Sequence, residues 1–193
     1  TIALDGMGGD FAPTETIAGA VEAARGGGVA IVITGELTVL ENELAKHEAV
    51  DKLPIKLVPA NGVVKEGEAP ASAFRSKPEA SIFVATHLVQ EGQAQAVVSM
   101  GSSGATIAAA TVMLGTYDGV ERPCLGGPII GLSPNTMIMD VGTNVDCRPQ
   151  QLVDFAALGA VMSKVIYGVE NPRVALLSVG AEEGKGNRLV KET

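Results

Sequence analysis

A chain of 193 residues with a formal net charge of −8 is long enough for one good-sized domain or two small ones, and it is too acidic for non-specific nucleic-acid binding, which needs a basic surface. Hydrophobic residues make up 46% of it, while aromatics make up 3% and Trp is absent, so a large core has to come from Ala, Val, Ile, Leu and Met. The two cysteines, Cys124 and Cys147, form no CxxC pair; this argues against a disulfide framework and fits a reducing compartment.

No basic-plus-apolar leader opens the sequence. Residues 2–4 predict a strand and 14–25 a helix; 29–33 predict a second strand, 37–47 a second helix, and 55–58 a third strand. Residues 59–80, with Glu66, Glu68, Arg75 and Lys77, form the one long polar stretch and read as a surface loop. A helix is expected over 81–90, a strand over 96–99 and a helix over 105–114. The uncharged span 93–117 is long enough to span a bilayer, but its GSSG centre and strand-like first half predict a soluble strand, loop and helix. Residues 136–139 predict a strand, 151–167 a helix, 174–178 a strand, and a last helix starts near Asn187. The absent initiating Met and the helix-like pattern at Thr193 suggest that both ends are trimmed. This alternation predicts an α/β, doubly wound, mostly parallel sheet with helices on both faces. The strands read as continuous apolar runs, as they do when both faces are buried. With no evident linker, residues 1–193 are expected to form a single α/β domain.

Four strand-end loops could carry chemistry, since ligands bind at the carboxyl edge of such sheets. The first is DGMGGD, residues 5–10. It is not the dinucleotide fingerprint, because Phe11 takes the third Gly position, yet Gly8 and Gly9 let backbone amides approach a ligand. Asp5 and Asp10 divide evenly between function and a tight turn capped by Asp10. The second is GSSGAT, residues 101–106, where Gly101, Ser102 and Ser103 open a helix whose free amides and dipole suit an anion; ordinary capping by one Ser is the alternative. The third is DVGTNVDCRP, residues 140–149. Asn144 and Asp146 could orient a substrate or hold a catalytic lysine, Cys147 reads better as an inert thiol than as a nucleophile without a nearby His, and Arg148 could simply pair with an acid. The fourth is GAEEGKGN, residues 180–187, one residue short of a P-loop and without its Ser/Thr. Lys185 between Gly184 and Gly186 either reaches an oxyanion or is a solvated lysine in a turn. His47 and His87 read as solvated and structural, so no zinc constellation is expected.

Together, IALDGMGGDFAP, EAPASAFRSKPEAS, SMGSSGA, DVGTNVDCRP and NPRVALLSVGAEEGKGNRLVKE, in this order and spacing, resemble the phosphate acyltransferase family of bacterial phospholipid synthesis (the PlsX proteins). The resemblance runs the whole length of the chain. DVGTNVDCRP and EEGKGNRLVKE are its specific parts. The sequence departs from the family at Gly6, where Ala is usual, at Ser102-Ser103, where Asn-Thr is common, and at Gly184, where Ile usually precedes the Lys. Family members also continue well past residue 193.

The resemblance implies a fold like the isopropylmalate dehydrogenase and phosphotransacetylase enzymes, and a cytoplasmic homodimer, peripheral at the inner membrane face or touching a downstream acyltransferase. It implies that inorganic phosphate attacks the thioester of an acyl-acyl carrier protein, with no metal or cofactor beyond the donor's phosphopantetheine. On that basis Lys185 with Gly184 and Gly186 is expected to bind phosphate, and Asn144 and Asn187 to orient phosphate or carbonyl. Asp5, Gly8, Gly9 and Asp10 shape the first loop, Asp146 lines the third, and Gly101, Ser102 and Ser103 take a second anion or the phosphopantetheine arm. Arg75, Lys77, Arg122 and Arg148 are the candidates for docking an acidic carrier protein. The competing expectations are a phosphotransacetylase-like enzyme using acyl-CoA, an NAD-dependent decarboxylating dehydrogenase, and a non-catalytic membrane or partner scaffold.

Overall fold

The apolar run at the start of the chain forms β1 (Ile2–Asp5), and three more runs pair with it: β2 (Ile31–Gly35), β3 (Ile55–Pro59) and β4 (Ala96–Val98). All pairings are parallel, in the order β3-β2-β1-β4, with Ile2 opposite both Ile31 and Ala96. The structure is a computed structural model that describes residues 1–180, 182 and 184–193. It divides into two units, Thr1–Gly115 and Thr116–Thr193.

The sheet of the first unit is doubly wound because successive side chains leave a strand on opposite faces. Leu4, Ile31 and Ile33 pack with Ile17, Val21 and Ala24 of α1 (Thr14–Gly26) and with Leu40 of α2 (Leu37–Leu44). Ala3 faces the other way, with Ala85 and Leu88 of α4 (Ser81–Gln90). Helix α4 crosses back over β1 and β2, so β4 joins the opposite edge of β1. A third cluster joins Val64, Ala73, Phe83, Ala105 and Ala109, with the Phe74 and Phe83 rings edge to face at 5.0 Å.

The expected loop over 59–80 is corrected by that cluster. It contains α3 (Pro70–Ser76), which starts with Pro in its first turn and buries Ala73; Pro is well placed there because its missing N–H would be unpaired anyway. The expected strand over 29–33 lies two residues later, and the helix over 37–47 stops at Leu44. The helix over 105–114 is α5 (Ser103–Ala109), followed by a π-helical turn, Ala110–Leu114. Residues 93–117 thus fold as strand, loop and helix, and among the described residues no helix is long and apolar enough to cross a membrane.

In the second unit, β5 (Gly126–Gly127) and β6 (Ile138–Met139) form a two-stranded antiparallel pair, so the expected strand over 136–139 does not extend the parallel sheet. The expected strand over 174–178 is absent among the described residues: the run is apolar, but no ladder partner lies beside it. Helix α6 (Pro149–Tyr167) buries Gln151, Phe155, Gly159 and Ser163, one residue per turn, and packs on β6. A β-carbon at Gly159 would stand 2.8 Å from Met139 Cγ, so the absence of a side chain sets how near helix and strand can come. The chain closes with α7 (Arg188–Glu192).

Candidate functional site

Strand order 3-2-1-4 places the topological switch between β1 and β4, the position at which the loops leaving two neighbouring strands diverge and open a crevice. The loops that diverge here are residues 6–13 and 99–102. Asp5 ends β1 and is 2% exposed. Its carboxylate accepts from the Ser99 hydroxyl at 2.7 Å and from the Met7 amide at 3.3 Å. Ser99 Oγ in turn accepts from the Gly101 amide at 3.1 Å. The two loops touch: a β-carbon at Gly8 would lie 2.3 Å from Asp5 Oδ2 and 3.0 Å from Gly101 N. Gly9 has φ +117 and rests against Met100. Thr16 fixes the far end of the first loop by donating to Gly6 O at 2.9 Å and to Pro13 O at 2.8 Å.

Gly8, Gly9, Gly101 and Asp5 therefore meet where the two loops touch, while Asp10 is exposed. Ser102 caps α5, its hydroxyl accepting from Ala105 N, and Ser103 is exposed. Among the described residues the amides of Gly8, Gly9, Ser102, Ser103 and Gly104 have no hydrogen-bond acceptor. A row of unpaired amides can hold an anion. Asp5 is the opposite case, a buried carboxylate held by neutral donors and by no cation among the described residues. Ser99 was not singled out in the sequence; its position at the end of the strand beside β1 was the available signal, and it needed the strand order to be read.

In the second unit, residues 140–149 are organised by Asp140, another residue not nominated individually. Its Oδ1 accepts from Asn144 N at 3.1 Å and Asn144 Nδ2 at 2.9 Å, and its Oδ2 accepts from Cys147 Sγ at 3.4 Å. Asn144 Nδ2 also donates to Pro123 O at 3.2 Å. Burial, and after it the hydrogen bond to the Asp140 carboxylate, push the Cys147 thiol above its ordinary value. Burial also raises Cys124; a hydrogen bond with the Asp140 backbone opposes the rise, and the charges of Asp140 and Cys147 add to it. Both thiols stay protonated near neutrality, and a thiol is a poor nucleophile. Asp146 is exposed. Arg148 pairs with Glu121, which also accepts from Gln151 Nε2 at 3.2 Å, and Gln151 Oε1 closes a capping box on Arg148 N.

The lysine loop is a turn built on positive φ at Gly184 (+85) and Gly186 (+100). Gly186 fits against Ser178 and Val190, where a β-carbon would come within 2.9 Å and 2.8 Å. Lys185 is exposed. Asn187 caps α7, its side chain accepting from Val190 N at 3.0 Å. Ala181 and Glu183 of this stretch lie outside the described residues. Of the candidate docking cations, Lys77 is bonded to both Glu68 oxygens at 2.7 Å and to Val63 O, and Arg148 is held by Glu121; Arg75 and Arg122 are exposed. Two grooves lie elsewhere. One, of about 500 Å³, is lined by Asn61, Lys65 and the paired Lys77; the other, of about 600 Å³, is largely apolar around Met139, Phe155 and Leu177. Among the described residues no group of three or more His, Cys, Asp or Glu side chains could hold a metal ion.

A family model described as fatty acid synthesis protein matches residues 1–193. Among similar curated proteins is a "Phosphate acyltransferase" of Clostridioides difficile (strain 630), 42% identical over 193 residues, with 100% of this chain and 56% of that protein covered. A "Phosphate acyltransferase" of Syntrophomonas wolfei is 46% identical over 198 residues, covering 100% of this chain and 60% of the relative. A third, from Cyanothece sp. (strain PCC 7425), is 44% identical over 194 residues, covering 100% and 56%. The chain thus spans 56 to 60% of the length of these three relatives.

Proposed function

The chain belongs to the fatty acid synthesis protein family, and on that premise we propose that it serves an acyl transfer to inorganic phosphate in phospholipid synthesis, with an acyl-acyl carrier protein as donor. A phosphate oxygen attacks the thioester carbonyl carbon and the carbonyl becomes an oxyanion. The oxyanion collapses, the C–S bond breaks, and the carrier's thiolate leaves and takes a proton. The products are an acyl phosphate and the free carrier thiol.

The single observation that supports this most is the meeting of two loops at the β1–β4 switch, where unpaired amides stand beside a carboxylate that is itself tied down. Direct attack by phosphate needs no enzyme nucleophile, in keeping with two protonated thiols. It needs an anion cradle, a cation and donors aimed at developing charge. In this reading Lys185, flanked by Gly184 and Gly186, supplies the cation for phosphate. Asn144 and Asn187 orient phosphate or carbonyl, and Asp146 is a polar contact for them. Asp5, Gly8, Gly9 and Asp10 shape the first loop, and Gly101, Ser102 and Ser103 receive an anion or the phosphopantetheine arm. The proposal extends to a cytoplasmic homodimer that works without metal or cofactor, peripheral at the inner membrane face; the sequence resemblance supports that part.

The test is acyl phosphate formation, trapped with hydroxylamine, in the protein that carries these residues. Losing one oxyanion-type donor typically costs about 10²–10³ in rate, and Lys185→Ala is expected to fall by that order with an unchanged circular dichroism spectrum. Near wild-type activity in this variant removes Lys185 from the reaction. A second reading, a phosphotransacetylase-like use of acyl-CoA, is favoured by one observation: Lys77 and Arg148 are already paired within the chain, which leaves fewer cations to dock an acidic carrier. Comparing acyl-carrier protein with acyl-CoA as donor decides between the two.

A further inference from the structure

The largely apolar groove of the second unit has no part in the roles above. It measures about 600 Å³, and all its lining residues fall within 130–177. Three segments line it. Helix α6 gives one face over residues 152–163, roughly 16 Å of helix at 1.5 Å per residue. Residues 137–139, which run into β6, give the second side. Residues 174–177, the strand-like run without a ladder partner, give the third. Arg173 is the one charged residue in the lining; Asn135, Thr136 and Ser163 are its other polar members. Leu177 is 95% exposed and Val174 is exposed beside it. Contiguous bare apolar surface of this kind marks a binding groove or an interface.

Size, chemistry and position together say what fills it. Its volume is many times the roughly 30 Å³ taken up by one water-sized group, so it has room for a long aliphatic chain. A lining with a single charge suits such a chain and gives a multiply charged ligand little to pair with. The position ties the groove to the lysine loop. The run 174–177 continues into Ser178, and a β-carbon at Gly186 would stand 2.9 Å from Ser178 Oγ, so the run ends against the loop that carries Lys185. At the other end Gly168, with φ +67, turns the chain back from α6, and there Ser163 and Arg173 bring polar groups into the lining. We propose that this groove holds the acyl chain of the thioester donor, its carbonyl end toward the Lys185 loop and its methyl end toward Ser163 and Arg173. The inference rests on the reading that the protein serves an acyl transfer, and it assigns the chain of the donor to the second unit.

The test is how kcat/KM depends on acyl-chain length in purified protein, read as the ratio of a palmitoyl to a butyryl donor. Each methylene withdrawn from water contributes about fourfold. Ala160→Phe puts a ring into the groove and should lower that ratio by roughly 60-fold to 250-fold, as for three or four methylenes shut out. Val161→Phe puts the same ring on the exposed side of α6, outside the lining, and should leave the ratio at its wild-type value. An unchanged ratio in a folded Ala160→Phe protein overturns the proposal; if the same variant breaks up an oligomer, the groove belongs to a second copy of the chain. If Ala160→Phe does not fold, wild-type protein is crosslinked to a palmitoyl donor with a diazirine at its methyl end. Adducts within residues 135–139, 152–163 or 172–177 sustain the proposal, and adducts confined elsewhere overturn it. If wild-type protein makes no acyl phosphate, the functional reading fails and the groove is judged by diazirine-tagged palmitate alone. Labelling of those residues that untagged palmitate displaces keeps the groove as an acyl-chain site; its absence ends it.

Discussion

At Asp140 the backbone sits at φ +61, a left-handed conformation that Asp tolerates better than most residues because its short carboxylate bonds locally. That carboxylate takes three hydrogen bonds, two from Asn144 and one from Cys147. Asp140→Ala loses all three and keeps a β-carbon at positive φ, so it should destabilise the protein by about 2–4 kcal/mol in urea unfolding, with Asp140→Asn milder. The same carboxylate bears on the thiols. Because both folded-state values are raised, their contribution to stability is complete below the unfolded thiol value and is lost as pH rises through the higher folded values. The melting midpoint should therefore be flat near neutrality and fall above about pH 9, the ordinary thiol value being 9.0. The alkaline part of that fall should shrink in a Cys124→Ala/Cys147→Ala variant. Cys147→Ala alone should leave acyl phosphate formation intact; a hundredfold loss would reinstate the thiol as a reactant.

Among the elements, the β-branched runs and helical periods that build the parallel sheet were readable, because β1 and β2 bury both faces and show it in composition, and the edge strand β3 keeps an apolar run although Lys56 and Pro59 are exposed. Helix α3 was not, since only Ala73 is buried and Phe74 half-buried in it, between the exposed Ala71, Ser72, Arg75 and Ser76. The run at 174–178 was misread for the opposite reason: it has strand composition and lacks a partner, and pairing is not a local property. The loops of the crevice were legible as Gly-rich strand ends, but the Asp5–Ser99 contact depends on strand order and could not be read from either loop. Gly8→Ala should disrupt both loops at once, since its β-carbon would meet Asp5 Oδ2 at 2.3 Å and Gly101 N at 3.0 Å. A loss of about 1–3 kcal/mol is expected from thermal melts, as for other overpacked sites. The α3 region has its own acid sensitivity. The Lys77 hydrogen bond, then the Lys65 amide, hold the Glu68 carboxyl below its ordinary 4.5. A depressed value gives stability that is present above the unfolded value and is lost as pH falls through the folded one. Proteolysis between residues 60 and 77 should quicken below about pH 4, and Lys77→Met should move that onset upward.

Over the whole molecule, apolar burial is uneven. The first unit holds three clusters of buried hydrophobics, whereas Phe155 is the one fully buried hydrophobic side chain in the second among its described residues. Local opening costs least where few apolar contacts resist it, so amide hydrogen exchange should be slower in β1, β2 and α4 than in α6; equal protection would show that the two units open together. The net charge of −8 keeps any acidic partner at a distance unless local cations gather it. If a carrier protein docks through Arg75 or Arg122, association should slow steeply with added salt, and removing either should lower the rate and flatten that salt dependence. The place of β1 also governs assembly during synthesis. Its first neighbour, β2, follows within some thirty residues, but its other edge stays bare until β4 at Ala96–Val98 leaves the ribosome, and contacts so far apart in sequence form late. A nascent chain halted before residue 96 thus exposes a central strand edge of the kind that recruits other strands, and the crevice exists only once Ser99 has reached Asp5.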